Sequence, residues 1–301
     1  MNADRHADNR RLCTAAAAAF VTIMLGNVEA ATAIPNGKWS FVFTDAKGRG
    51  AEAPIRVYTY KPRKCDEKCP IQFVLHGVKR NASEYRDHWE LIADNYNLVI
   101  VAPEFSQKSW PRAAGYNLGD VERQADREKW AFSAIEHLFD EVREGRTEYR
   151  IFGHSAGAQF IQRMMLFRPD HRASVAVAAN PGWYTMPEWR EDRKPDAFPY
   201  SLAKAKGAGE AELRRALERR FVLMVGEKDD DPDDENLNRT EGAMKQGANR
   251  VERGENFFKA ATAAARDLGA RFAWELVEVP DTAHNAAAMS RAAADFLYGK
   301  K

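Results

Sequence analysis

The chain has 301 residues, 45% hydrophobic and 30% charged, an ordinary balance for a globular protein with a substantial core. Lys and Arg total 45 against 44 Asp and Glu, so with a net charge of +1 there is no global field to recruit nucleic acid or an anionic membrane. Specificity must come from a local site. Arg5, Arg10 and Arg11 precede an apolar stretch over 12–25, followed by small residues with candidate cleavage points after Ala30 or Ala33. This is the layout of a signal peptide. A membrane anchor is the competing reading, but the run falls short of the ~18–20 apolar residues a spanning helix needs. No later segment is long and apolar enough to span a bilayer. Residues 1–33 are therefore expected to direct export, leaving a single domain over 34–301 in a secreted or periplasmic protein.

Within that domain, 39–44 and 55–61 read as two strands around a glycine-containing turn. A charged loop follows, with Cys65 and Cys69 in Cys-Asp-Glu-Lys-Cys-Pro. Two cysteines at this spacing would need further ligands to hold a metal, and neither a third mature cysteine nor a nearby histidine pair supplies them. In an oxidising compartment they read as a disulfide stapling a surface turn. Short unalternated apolar runs come next, at 71–75, 98–102, 149–152, 174–178, 221–225 and 272–277. Such runs suit strands buried on both faces of a parallel sheet. Helical spacing fills the intervals at 83–95, 123–143, 156–167, 210–219, 256–268 and 285–298. The expected architecture is α/β, a doubly wound and mostly parallel sheet with an antiparallel start.

The decisive segment is Gly153-His154-Ser155-Ala156-Gly157, which lies between a strand and a helix. With Gly and Ser each near ~7%, about 0.1 chance matches to G-x-S-x-G are expected in a chain this long, so the context decides. A strand-to-helix turn with glycines on both sides is a nucleophile elbow. It lifts the Ser155 hydroxyl out of the sheet at the N-terminus of a helix, where developing negative charge is favoured. In the α/β-hydrolase fold, whose elbow this resembles, the order along the chain is serine, acid, histidine. Only His171 and His284 follow Ser155, and His171 comes too soon for a strand to supply an acid before it. His284, on the loop entering the last helix, is the expected base. The oxyanion hole needs two backbone N–H groups. One belongs to Ala156, and Val78, in His76-Gly77-Val78-Lys79 after the strand at 71–75, is the candidate for the other. His76 precedes the nucleophile and is expected to be structural.

Four segments together resemble the secreted polyhydroxybutyrate depolymerase and feruloyl esterase-like branch of the α/β hydrolases. They are His76-Gly77, Gly153-His154-Ser155-Ala156-Gly157, the strand ending Gly226-Glu227-Lys228-Asp229, and the late His284. The resemblance spans essentially the whole mature chain and implies ester hydrolysis without a cofactor or metal. One departure is Val78, where a further glycine or cysteine would be expected. Asp229, in the Gly-x-x-Asp position after a strand, is the expected triad acid. Asp231 is the alternative if the loop stays extended, since side chains alternate with period two.

The expected activity is therefore that of an extracytoplasmic serine hydrolase acting on a small ester or a polyester. A peptidase or amidase of the same fold is the same-class alternative, and a non-catalytic binding protein that kept the fold is the other. The acidic run 229–235 lacks the glycine of an EF-hand loop and reads as a solvated loop. Trp183 and Tyr184, after the strand at 174–178, sit where ligands bind in open α/β sheets, so both are candidate substrate contacts, with Trp110 a possible third.

Overall fold

A computed structural model describes residues 32–193 and 195–299. The expected signal segment falls, up to residue 31, outside the described residues. One eight-stranded sheet organises the rest, in the order β1-β2-β4-β3-β5-β6-β7-β8. The strands are β1 (Gly37–Asp45), β2 (Gly50–Lys61), β3 (Ile71–Leu75), β4 (Val99–Glu104), β5 (Tyr149–His154), β6 (Ala173–Ala179), β7 (Phe221–Gly226) and β8 (Trp274–Val279). β1 pairs with β2 and β2 with β4 in antiparallel register, whereas every pairing from β4 through β3 to β8 is parallel. The doubly wound architecture with an antiparallel start is the one found.

The apolar runs explain this sheet residue by residue. Along β7, Phe221, Leu223 and Val225 enter one core, while Val222 and Met224 enter the other. A strand needs apolar residues at every position only when both faces are covered. On one face lie α1 (Ala82–His88), α2 (Glu90–Tyr96) and α9 (Ala286–Tyr298). The opposite face is covered by α4 (Ala131–Val142), α5 (Ala156–Phe167), α6 (Glu210–Leu217) and α8 (Arg250–Leu268), with short helices α3 (Arg112–Gly115) and α7 (Glu241–Met244) in the connecting loops. Each fully buried Leu, Ile or Phe contributes roughly 1.5–3 kcal/mol relative to exposure, so the two cores dominate the stability.

Three helices depart from the expected spans, each for a local reason. The segment 83–95 is two helices, because Trp89 turns the chain (φ −99°, ψ 0°) to bury its indole against Phe152 at 5.2 Å. The segment 123–143 holds a 3-10 turn at Arg127–Lys129 and becomes α-helical only at Ala131. Trp130 is extended, and its indole N–H donates to the Gln124 carbonyl at 2.9 Å. α8 starts six residues early, at Arg250, where Asn249 caps it by accepting from the Glu252 N–H at 2.9 Å. Cys65 and Cys69 are joined in a disulfide. Arg146 holds that turn through the Cys69 carbonyl at 2.6 Å and the Asp66 carbonyl at 3.0 Å. Among the described residues no helix is long and apolar enough to cross a membrane.

Candidate active site

Ser155 stands between β5 and α5 with φ +56° and ψ −116°, a conformation L residues avoid and that costs about 1–3 kcal/mol. The glycines around it make this turn possible. A Cβ on Gly157 would lie 2.4 Å from the Leu75 carbonyl oxygen, and one on Gly153 would lie 2.5 Å from the Gly157 backbone. The Ser155 N–H donates to the Ala179 carbonyl at 3.0 Å, so β6 fixes the turn from its other side. Ala156 opens α5 and is buried.

The loop after β3 lies against this turn. A Cβ on Gly77 would be 3.7 Å from the Ser155 Cβ. His76 is fully buried. Its Nδ1 donates to the Gly77 carbonyl at 2.9 Å and its Nε2 accepts the Phe105 N–H at 3.1 Å. Burial pushes its pKa down to about 3, which fits a neutral ring committed to holding the loop. Tyr116 donates to the His76 carbonyl at 2.8 Å. Arg80 stacks over Tyr116 at 4.3 Å and binds the carbonyls of Phe105 and, at 2.9 Å, Arg112.

Asp229 and His284 come from the ends of β7 and β8. The His284 Nδ1–H donates to Asp229 Oδ2 at 2.7 Å, and the other oxygen, Oδ1, accepts from Arg250 Nη1 at 3.0 Å. Asp229 is buried, whereas the His284 side chain is 23% exposed. Asp231 is exposed and instead accepts the Asp233 N–H at 2.8 Å, because the chain turns straight after β7 instead of staying extended. The two loops are stitched together at backbone level. Lys228 N–H donates to the Thr282 carbonyl at 2.9 Å, and a Cβ on Gly226 would lie 2.3 Å from that same oxygen. Asn180, at the end of β6, accepts the Gly226 N–H at 2.7 Å and donates to the Ala283 carbonyl at 3.2 Å.

His284 reaches the Ser155 turn through His154, the residue before Ser155, with ring centroids 4.5 Å apart. Burial first, then the charges of His284, Arg250 and His88, hold the His154 pKa well below the ordinary value, so this ring stays neutral. Its Nδ1 shares a 3.0 Å hydrogen bond with the Tyr85 hydroxyl. Among the described residues His284 makes no hydrogen bond to Ser155 Oγ, a contact that in ligand-free sites commonly tightens only once substrate is bound.

Beside Ser155 opens a cleft of about 250 Å³. Val78, Ala156, Gln159 and Trp183 line it, with Asn236, Asn238 and three arginines, Arg80, Arg112 and Arg250. None of its lining residues is acidic. Of the two aromatic residues expected here, only Trp183 faces the cleft, with its indole over the buried Arg163 guanidinium at 4.3 Å. Tyr184 does not. It is fully buried and stacked on Phe257 at 4.5 Å, since neighbouring side chains in an extended segment point opposite ways. Trp110 is likewise core, packed on Phe105. His171 sits apart, with its Nδ1 accepting the Ala173 N–H and its pKa pushed down to about 3 by burial. The described residues hold no cluster of three or more His, Cys, Asp or Glu fit for a metal ion.

Sequence reasoning missed Asn180, Arg80 and Arg250. Asn180-Pro181-Gly182 at a strand end is a weak turn signal for the first, and nothing local marks the two arginines.

No protein-family model and no curated protein matches the chain. Solved structures do. Poly(aspartic acid) hydrolase-1 from Sphingomonas sp. KT-1 is 38% identical, with a TM-score of 0.81 over 89% of this chain and 100% of that one. The poly(3-hydroxybutyrate) depolymerase LpqC from Bordetella parapertussis is 32% identical, with a TM-score of 0.81 over 88% of this chain and 91% of that one. An S-formylglutathione hydrolase from Agrobacterium tumefaciens, 18% identical at a TM-score of 0.54 over 88% and 95%, shares the fold. The chain belongs to the polyhydroxybutyrate depolymerase-like branch of the α/β hydrolases.

Proposed function

We propose that this chain is an extracytoplasmic serine hydrolase that cleaves carboxylic esters through an acyl-enzyme. Ser155 Oγ attacks the acyl carbon while His284 Nε2 takes its proton, and Asp229 holds the imidazole in the tautomer that leaves Nε2 free. The backbone N–H groups of Val78 and Ala156 receive the oxyanion. As the tetrahedral intermediate collapses, His284 returns the proton to the leaving alkoxide. Water then attacks the acyl group with His284 again as base, and Ser155 is released. The observation that carries this reading is the 2.7 Å bond between buried Asp229 and His284, whose ring packs on the residue preceding a strained serine turn. Export is supported by the composition of residues 1–33 and by the Cys65–Cys69 disulfide.

A second reading, amide hydrolysis in an anionic polymer, is favoured by a specific feature of the cleft. Arg80 and Arg112 line it with no acidic residue in the lining, and among the described residues buried Arg80 hydrogen-bonds to carbonyls and stacks on Tyr116. An unneutralised buried guanidinium is costly, and a substrate carboxylate would offset that cost. The poly(aspartic acid) hydrolase-1 relative acts, as its name states, on a polymer of this kind.

Both readings share one first test. A fluorophosphonate should label Ser155 alone, and Ser155→Ala should remain folded with activity lower by at least ~10³-fold. Wild-type protein that stays unlabelled and inactive on every substrate would point to a binding protein instead. p-Nitrophenyl and feruloyl esters, hydroxybutyrate oligomers and poly(aspartic acid) then separate ester from amide specificity.

A further inference from the structure

We propose that Arg250 is a positioning residue for the hydrolytic centre, fixing the plane of the Asp229 carboxylate and offsetting the negative charge that faces His284. The proposal rests on the reading of Ser155, His284 and Asp229 as the catalytic residues.

Arg250 occupies a place that elementary physics disfavours twice. It is the first residue of α8, where the helix dipole repels a cation, and its side chain is only 3% exposed. Two carboxylates offset these costs. Nη1 donates to Asp229 Oδ1 at 3.0 Å and Nη2 to Asp234 Oδ1 at 2.8 Å. Burial alone would lower the Arg250 pKa, but its bonds and charges with Asp234 and Asp229 outweigh it and raise the pKa above the ordinary value. In turn, its bond to Arg250 heads the causes that lower the Asp234 pKa. With Asp229 Oδ1 committed to Arg250 and Oδ2 to His284, the carboxylate cannot swing about its χ2 axis without breaking one of two charge-assisted bonds.

The charge arrangement has a second effect. Asp229 and Asp234 face His284 from the β7–α8 connection, Arg250 faces it from α8, and neutral His154 from β5. The Lys228–Asp281 ion pair, 2.7 Å apart, flanks it at the surface. Without Arg250, two uncompensated carboxylates would hold a proton on His284, leaving less free base at low pH and a poorer acid for the leaving group. Arg250 removes one of those negative charges and still leaves a counter-ion for the imidazolium of the transition state.

The test is steady-state kinetics of the full chain on an uncharged p-nitrophenyl ester across pH, with the Tm of every variant measured. Arg250→Gln should lower kcat by ~10–100-fold with KM within about threefold. The acid limb of kcat/KM should move up by about 0.5–1 pH unit. Arg250→Lys keeps the charge but loses the fork, so kcat should fall less and the acid limb stay in place. The double variant with Asp234→Asn removes the uncompensated carboxylate and should bring the limb back. A wild-type kcat and acid limb in Arg250→Gln, or a rise in KM alone, would overturn the proposal, the latter by making Arg250 a substrate contact. If Arg250→Gln does not fold, Asp234→Asn alone decides. Loss of its carboxylate must move the acid limb down, and an unmoved limb overturns the proposal. Failure of the underlying reading is separate and shows in wild-type protein, as a fluorophosphonate that does not label Ser155.

Discussion

Among the described residues two histidines bond to buried aspartates, and only one of these pairs lies beside Ser155. Asp229 and His284 meet at 2.7 Å beside the Ser155 turn, whereas Asp45 and His137 meet at 2.8 Å between the end of β1 and α4. At the second pair the other ring nitrogen, Nε2, is closed off by Glu128 at 2.8 Å, and the ring is 6% exposed. Burial lowers the His137 pKa, but its bonds and charges with Asp45 and Glu128 outweigh this and raise it above the ordinary value. The difference lies in which group supplies the positive charge. His137 is itself the counter-ion of two carboxylates, and both favour its protonated form. Arg250 fills that role at Asp229 and Asp234, which leaves His284 with one nitrogen uncommitted. At Asp229 a permanent cation carries the charge balancing that His137 must carry itself at Asp45.

The sharpest way to break this comparison is to remove the same oxygen from both pairs. Asp229→Asn should lower kcat by ~10³–10⁴-fold, equivalent to about 4–5.5 kcal/mol of transition-state stabilisation, with some fall in Tm because buried Arg250 loses one of its two carboxylates. Asp45→Asn should leave kcat within about twofold and lower the Tm instead. Equal losses of activity from the two changes would sink the distinction.

The next effect is on stability. His137→Gln leaves Asp45 buried without its cation and should cost about 2–4 kcal/mol of folding free energy, with kcat unchanged. The pH dependence has a definite sign. A histidine whose folded pKa is raised contributes stability that is complete below its unfolded value near ~6.5 and is lost as pH climbs through the folded one. The Tm gap between wild type and His137→Gln should therefore be larger at pH 6 than at pH 9. A gap that widens with pH would show that His137 is neutral in the folded protein.

What could be read from the sequence divides along the same line. The elbow was legible because sterics leave no choice at Gly153 and Gly157, and β5 and α5 carry unmistakable patterns on either side. His284 followed from chain order, and Asp229 from its offset after Gly226. The sheet was legible strand by strand because a two-sided core demands uninterrupted apolar runs. Arg250 was not legible. It lies 21 residues from Asp229 and before the first apolar residue of the helical pattern, and a charged residue at a helix start carries no signal. Asp45 and His137 are 92 residues apart and left none either. Of Trp183 and Tyr184, composition marks both as aromatic and only the backbone direction decides which one faces the cleft.

The smallest effect tests the acid loop itself. If that loop had stayed extended, Asp231 would have shared the side of Asp229 and competed for His284. Instead the chain turns after β7, and Asp231 accepts the Asp233 N–H at 2.8 Å, which commits its Oδ1 to the turn. Asp230 and Asp231 are both exposed, so water screens their charge at His284, whereas Asp229 is 4% exposed and bonded to the ring. Asp230→Asn and Asp231→Asn should each change kcat by less than about tenfold, under about 1.4 kcal/mol. Asparagine still offers Oδ1 to the Asp233 N–H, so the turn survives and any residual effect of Asp231→Asn is electrostatic. That remainder should shrink between 0.05 and 0.5 M salt, roughly as the screening length falls from about 14 to 4 Å, whereas the loss from Asp229→Asn should not respond. A crippling, salt-insensitive loss in Asp231→Asn with a mild one in Asp229→Asn would mean that Asp231, in a different loop register, is the acid that reaches His284 during turnover.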